Sequence, residues 1–464
     1  MAVNNLSLRI WSKPNTNFMN TLNKLSFIGL FAVALGLISC NKESPDPVMS
    51  ETEMASTGLT ISQAEELANL FAPLLDSNVK PDVETRTASS DSPKILDYID
   101  VYVENGDTLM YALNYANNAG YIIVGADNLA FPILSHSSHG TFNFNAIDEN
   151  SPVNDFLEAY KETIRKGIAT SDTSSEFYDN WKDLGKEGYE YEIEISPIED
   201  IVETRGRREY SSGKPTIYPF TGEELDYWCQ EGGYNYYAEN NACIGCPAIA
   251  IGMLMYDTSQ RILGNSTPTS PSFSYYYDAF DLRSETTGTD TALKLRQIAD
   301  AIPNYDWGES AGAESGALPA DIVTGLRNLG YVNATMVDYN FETLYSNLTF
   351  KGYNYFGEET DFSRGVLLGA YATYGNGGHI WFCDGYYEQA YTVTKKFLGI
   401  TIKKWNEYDD RLYMNWGWGP DQGNGWYCAT DDGYWSSLDY GDLYLKRLPK
   451  MYINLSRYEM PANN

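Results

Sequence analysis

Histidine is almost missing from this chain of 464 residues; only His136, His139 and His379 occur. Any imidazole chemistry is confined to those three positions. No His-x-x-x-His spacing exists, and Cys243-x-x-Cys246 has no second Cys-x-x-Cys to complete a zinc site. A redox role for that pair is not excluded by its residues alone. Basic residues are scarce as well: 32 Lys and Arg stand against 63 Asp and Glu, a formal net charge of -31. Nucleic-acid phosphates would be repelled, and no basic patch offsets this, so nucleic acid is not an expected partner. Long apolar runs are lacking too. The longest, Leu25 to Ile38, is too short to span a bilayer as a mature helix. What is abundant is apolar and aromatic material, 43% and 14% of residues, which argues for globular structure of two or three domains.

The apolar run follows Lys24 and ends in Leu37-Ile38-Ser39-Cys40. A small residue and then Cys, directly after an apolar core, looks like a bacterial lipobox, whose Cys is lipidated and becomes the mature N-terminus. Residues 1–40 are therefore expected to be a lipoprotein signal peptide, with Cys40 as a lipid anchor to the membrane. An ordinary signal peptide is the alternative. Met19 is an alternative start, because Arg9 and Lys13 lie in a long leader. Residues 41–58, opening Asn41-Lys42-Glu43-Ser44-Pro45, read as a polar tether. The expected location is exported, on the outer surface or facing the periplasm, with release after processing as a further option.

The rest of the chain is organised around Cys243-Ile244-Gly245-Cys246-Pro247-Ala248. Pro at a first helical position costs no hydrogen bond, so a helix is expected from Pro247 to Tyr256. Cys246 then sits at its cap, where free N–H groups and the helix dipole favour thiolate, the nucleophilic form. A buried inert Cys is the plain alternative. A cysteine nucleophile needs a base and a group to orient it. His379 is the sole histidine after Cys246, in Gly375-Asn376-Gly377-Gly378-His379-Ile380, read as a turn leading into a strand. Asn415, in Met414-Asn415-Trp416-Gly417-Trp418-Gly419, is placed to accept the His379 ring N–H, with Trp416 covering that bond. Gln230, in Tyr227-Trp228-Cys229-Gln230, offers an amide to a developing oxyanion beside the Cys246 N–H.

These pieces, in this order, resemble the streptopain-like cysteine peptidases, a branch of the papain fold. The resemblance is carried by Trp228-x-Gln230 with Tyr234-Asn235, by Gly245-Cys246, by Gly377-Gly378-His379 with Asp384-Gly385-Tyr386, and by Asn415-Trp416-Gly417-Trp418-Gly419 with Gly425-Trp426-Tyr427. It implies Cys246 as nucleophile, His379 as base, Asn415 as its orienting group, Trp416 as shield and Gln230 in the oxyanion hole. It implies no cofactor and no metal. It also implies a cleft for an extended protein or peptide substrate, with an apolar preference two residues before the cut. Departures are Pro247, Pro420 and the long stretch from Tyr387 to Arg411, read as an extra hairpin around Lys395 to Lys404. Cys243 stands where papain carries a disulfide cysteine. Cys229, Cys243, Cys383 and Cys428 allow three pairings, or all are reduced.

Residues 59–200 read as a smaller α+β domain. Ser62 and Glu65 suggest a capping box opening a helix that Pro73 disturbs near its end, and Asn105-Gly106-Asp107 marks a hairpin. Further strands are expected at Tyr121 to Val124 and Phe131 to Leu134, and helices at Pro152 to Lys166 and Ser174 to Leu184. This part, with Gly120-Tyr121-Ile122-Ile123-Val124-Gly125-Ala126-Asp127, resembles the streptopain propeptide, which implies an intramolecular inhibitor and places His136 and His139 outside the catalytic pair. An ordinary accessory domain is the alternative. Residues 201–218, with Thr204-Arg205-Gly206-Arg207-Arg208-Glu209, read as an exposed linker with a processing site between Val202 and Ser212. Residues 219–464 are then the peptidase domain. The expected fold is α+β: a papain-like domain with a helical half and an antiparallel β half, behind its propeptide. The expected function is a secreted or surface-anchored cysteine endopeptidase made as a zymogen. The rivals are a non-catalytic surface lipoprotein that binds protein or glycan through such a cleft, and a Cys-x-x-Cys oxidoreductase.

Overall fold

A computed structural model of the chain describes residues 10–11, 58–78, 94–127, 132–147, 151–170, 176–195, 225–263, 290–348, 352–353, 359–360, 365–371, 378–419, 422–428 and 450–455. Cys40 with the rest of residues 12–57, the 201–218 stretch with its basic cluster, Gly375 to Gly377 and Pro420 lie outside the described residues. No helix among the described residues is long and apolar enough to cross a membrane.

The fold is α+β, a mix of helices and antiparallel strands. Strand β1 (Ile10–Trp11) pairs with β2 (Leu96–Glu104). Helix α1 (Ile61–Asn78) starts two residues earlier than the Ser62 capping box would place it. The box that forms is Thr60 with Gln63: the Thr60 N–H donates to Gln63 Oε1 at 2.8 Å, and the Gln63 N–H donates back to Thr60 Oγ1 at 3.3 Å. Pro73 does not end the helix, which continues to Asn78. β2 and β3 (Asp107–Tyr115) join through Asn105 and Gly106, both at positive φ (53° and 96°), the backbone that a two-residue hairpin turn demands. β4 (Tyr121–Gly125), β5 (Ile133–Ser137), α2 (Pro152–Thr170), α3 (Glu176–Trp181) and β6 (Tyr189–Ile195) follow.

The later part opens with α4 (Cys246–Leu263), in which every residue from Pro247 to Asp257 is buried. A helix apolar on all sides belongs inside a core, and α4 lies against the long strand β11 and against α5 (Asp290–Ala301). Then come α6 (Pro319–Asn328), β7 (Thr335–Val337), α7 (Phe341–Leu348), and a small pair, β8 (Gly352–Tyr353) and β9 (Glu359–Thr360). β10 (Val366–Tyr371), β11 (Gly378–Phe397), β12 (Ile400–Asn415), β13 (Gly425–Cys428) and β14 (Lys450–Ile453) are the last of the described elements. The extra hairpin exists: β11 and β12 run on past the site and turn at Leu398-Gly399.

Among the described residues, one sheet of twelve strands runs through both parts, in the order β1-β2-β3-β4-β5-β13-β12-β11-β10-β14-β7, with β6 added on β11. Two seams join the earlier strands to the later ones. β5 meets β13 at Ser135–Tyr427 and His136–Trp426. β6 lies along the outer half of β11, from Tyr189–Phe397 to Ile195–Tyr391. Buried side chains cross the seams. Arg411 Nη2 donates to the Ile133 carbonyl at 2.8 Å, and the Tyr160 hydroxyl donates to the Cys428 carbonyl at 3.0 Å. Phe156 of α2 sits edge-on to Trp416, with centroids 5.5 Å apart. The two parts therefore share apolar cores instead of touching through a wet interface.

Candidate active site

The site begins at Gly245. Its φ of 93° is the left-handed region, and a Cβ there would come within 2.6 Å of the Ser315 carbonyl, so glycine alone fits. This close approach delivers Cys246 as the first residue of α4, with the Ile249 N–H reaching back to the Gly245 carbonyl at 3.3 Å. Tyr305 donates to the Ile244 carbonyl at 2.6 Å and pins the preceding residue.

Cys246 meets the main chain just before His379. Cys246 Sγ lies 4.0 Å from the Gly378 carbonyl, so the sulfur sits against the backbone that leads into His379. His379 Nε2 donates to the Trp416 carbonyl at 2.8 Å. A carbonyl only accepts, so the proton is on Nε2 and Nδ1 is left as the basic nitrogen.

The electrostatics describe a neutral pair. Burial pushes the Cys246 thiol up to about 12, with the Glu314 charge adding to it, against the N–H groups of Ile380 and Cys246 itself. Burial pulls the His379 ring down to about 4, opposed by the Trp416 carbonyl. Both side chains keep some solvent-facing surface, yet protein surrounds most of each. The helix N-terminus expected to favour thiolate at Cys246 is outweighed here by loss of water.

Asn415 departs from its expected role. Its Nδ2 donates to Asp226 Oδ1 at 3.1 Å, and its Oδ1 accepts the Gly417 N–H at 3.1 Å. The His379 proton goes one residue further, to the Trp416 main chain, because Asn415 is fully buried and already engaged at both ends. Trp416 does not lie over the imidazole either. Its ring is buried beneath the sheet beside Trp381 (4.9 Å) and Phe156, and its Nε1 donates to the Gly423 carbonyl at 2.9 Å. The ring over His379 is Trp418, with centroids 4.3 Å apart. Gln230 is half-buried, and its carbonyl accepts the Ile244 N–H at 2.9 Å, which holds its loop two residues ahead of Cys246.

Three residues that sequence reasoning left out complete the surroundings. Asp226, fully buried, accepts from Asn415, from the Tyr413 hydroxyl (2.7 Å) and from His139 Nε2. Asn424 accepts the Trp416 N–H at 2.9 Å. His139, from the turn after β5, brings the earlier part of the chain to the edge of the site. Nothing local marks Asp226 or Asn424 in sequence, since each is defined by partners far along the chain.

All five cysteines after Cys40 are free, so none of the three possible pairings forms. Cys243 Sγ faces Glu231 Oε1 at 3.2 Å, and burial together with that carboxylate pushes its thiol up to about 12. A thiol so disposed is a poor redox partner for Cys246. Among the described residues no group of His, Cys, Asp and Glu is arranged to hold a metal ion.

Residues 56–164 match the family model of the Spi protease inhibitors, a stretch whose described part is α1, β2 to β5 and most of α2. A likeness to a solved structure also exists, the prointerpain A fragment of Prevotella intermedia in a cysteine-to-alanine form. It is 16% identical, covers 76% of this chain and 96% of that one, and superposes with a TM-score of 0.43, too low to carry an argument about fold or site. No curated protein matches the chain. The earlier part of this chain is thus similar to a protease inhibitor.

Proposed function

We propose that the chain is a latent cysteine endopeptidase, with residues 219–464 as the papain-like peptidase and residues 59–200 as its propeptide-like inhibitor. One observation carries the reading: the Cys246 sulfur rests against the Gly378 carbonyl, at the residue before His379, whose Nε2 is tied to the Trp416 carbonyl so that Nδ1 is the basic nitrogen. The similarity of residues 56–164 to Spi protease inhibitors supports the role of the earlier part.

In the proposed reaction, His379 Nδ1 takes the Cys246 proton and the sulfur attacks the peptide carbonyl. The resulting oxyanion is met by the Cys246 N–H and the Gln230 amide. His379 returns the proton to the leaving amine, giving an acyl-enzyme, and a water activated by the same nitrogen releases the acid. The thiol near 12 and the ring near 4 are the resting, neutral form of this pair. Ionisation would follow once water or substrate reaches the sulfur. Trp418 covers the imidazole, and Asn415 acts through the turn that carries the Trp416 carbonyl. Export, lipidation at Cys40 and processing between residues 202 and 212 belong to the same proposal.

A second reading has its own support. The inhibitor similarity fits a surface lipoprotein that binds a protease or peptide without cutting it. The two separate on one experiment. After removal of the N-terminal part, a thiolate-directed epoxide should label Cys246, and the chain should cleave a peptide library; Cys246→Ala should lose both. Cleavage retained by Cys246→Ala, or a Cys246 that stays unlabelled in a folded C-terminal part, rejects the peptidase reading.

A further inference from the structure

The outer halves of β11 and β12 belong, by their packing, to the earlier part of the chain. Tyr391 and Val393 are fully buried in an apolar core, and Trp405 packs against it; the other described members of that core all come from residues 59–193. Phe71 of α1 meets the Tyr391 ring edge-on at 5.4 Å, and Trp181 of α3 meets Trp405 in the same way at 5.6 Å. β6 pairs along the hairpin from Tyr391 to Phe397, and just past it the Leu398 N–H donates to the Gly188 carbonyl at 2.8 Å. Lys395, almost without solvent exposure, meets Asp183 at 2.6 Å. The later part gives the hairpin nothing comparable. Neither of the other two cores takes any described residue between Tyr386 and Leu412.

We infer that this outer half of the hairpin is the docking surface for the earlier part and retains it after the chain is cut within residues 201–218, so that such a cut leaves one particle and release requires breaking the earlier part itself. The inference takes the division of the chain from the proposed function, and nothing from the chemistry at Cys246. A two-stranded hairpin by itself is marginal in water. This one is covered by α1, α3 and β6 of the earlier part. Withdrawal of that part would open Tyr391, Val393 and one face of Trp405 to water and leave the β11 edge without its ladder partner. The earlier part would lose as much, because its own core would lack those three side chains. The more exposed ion pairs, Lys396 with Glu192 and Lys403 with Asp179, add little. None of these contacts involves residues 201–218, so cutting there leaves them in place. Tyr391 stands roughly 40 Å along β11 from His379, so the surface that retains the earlier part is remote from the Cys246 sulfur.

The test uses the full chain with Cys246→Ala, to prevent self-cutting, and with the recognition sequence of an unrelated protease placed within residues 201–218. After complete cutting, fluorescence-detected size exclusion at nanomolar concentration should show both pieces eluting together at the volume of the uncut chain, and parting only in denaturant. Two separate peaks overturn the inference. Hydrogen exchange on the cut protein then locates the hold. Fragments over 189–195 and 391–397 should keep the protection they have in the uncut chain. Loss of protection there, with 133–137 and 425–428 still protected, overturns the hairpin as the docking surface. Tyr391→Ala together with Trp405→Ala should weaken association of the cut pieces about a hundredfold or more, the consequence of truncating two packed aromatics. Equal association in that variant and its parent overturns the inference as well. Should the double variant not fold, the exchange pattern of the cut parent decides. No readout involves cleavage of a peptide by this chain, so failure here is distinct from failure of the peptidase reading.

Discussion

His379 gives its Nε2 proton to the carbonyl of Trp416, 2.8 Å away. The partner is a main-chain atom, so the tautomer of the base is set by the path of the turn after β12 and not by a side chain that a single substitution removes. Nδ1 stays basic for as long as that turn holds its shape. The bonds from Asn415, Asn424 and Asp226 all serve the turn, which gives these residues a common purpose.

Stability should report the neutral pair. His379 has its ring lowered to about 4 from an ordinary 6.5, so its contribution is complete above 6.5 and is lost as pH falls toward 4. Cys246, raised from 9 to about 12, contributes fully below 9 and loses that contribution as pH rises toward 12. The two groups together favour the folded chain most between 6.5 and 9. Thermal midpoints measured across pH should fall on both limbs. His379→Gln should flatten the acid limb, and Cys246→Ala the alkaline one; unchanged limbs in both variants would show that other groups set the profile.

Trp418→Ala should act on the base while sparing the fold. The indole lies 4.3 Å from the imidazole and is only partly buried. An aromatic pair of this kind is worth about 1 kcal/mol. Near-wild-type urea unfolding together with roughly fivefold slower peptide cleavage after removal of the N-terminal part is the expected result. Equal cleavage by the variant and its parent would show that Trp418 merely fills space.

Phe156→Ala tests whether the earlier part of the chain supports the later one. Phe156 is fully buried and touches Trp416 and Tyr427, at 5.5 and 5.2 Å between centroids. Truncation of a core Phe costs about 3–5 kcal/mol. The urea midpoint should drop accordingly, and the near-ultraviolet circular dichroism of the tryptophans should change with it. A drop in the midpoint without that spectral change would place the damage in α2 alone.

Much of the local structure was legible. The Asn105-Gly106 turn and the α4 start at Cys246-Pro247 follow from short-range rules of turn chemistry and helix starts, and the hairpin near Lys395 from the length of the stretch between His379 and Asn415. β6 was readable and overlooked. Tyr189-Glu190-Tyr191-Glu192-Ile193-Glu194-Ile195 alternates strictly, the pattern of a half-buried strand. The capping box was misplaced by two residues because Ser62 with Glu65 and Thr60 with Gln63 both fit the pattern, and only backbone geometry chooses between them.

The sequence by itself determined the chemical inventory: a Cys at a helix start, one downstream His, an Asn-Trp-Gly-Trp turn, and an excess of acidic over basic residues. Residue identity and near spacing are enough for that. Only the tertiary structure decided who touches whom. It gave the His379 proton to a carbonyl instead of Asn415, put Trp418 in place of Trp416 over the ring, and sent His139 to Asp226, 87 residues away. It also decided the charge state of Cys246 and His379, because desolvation depends on everything packed around a group and on very little of what stands beside it in the chain.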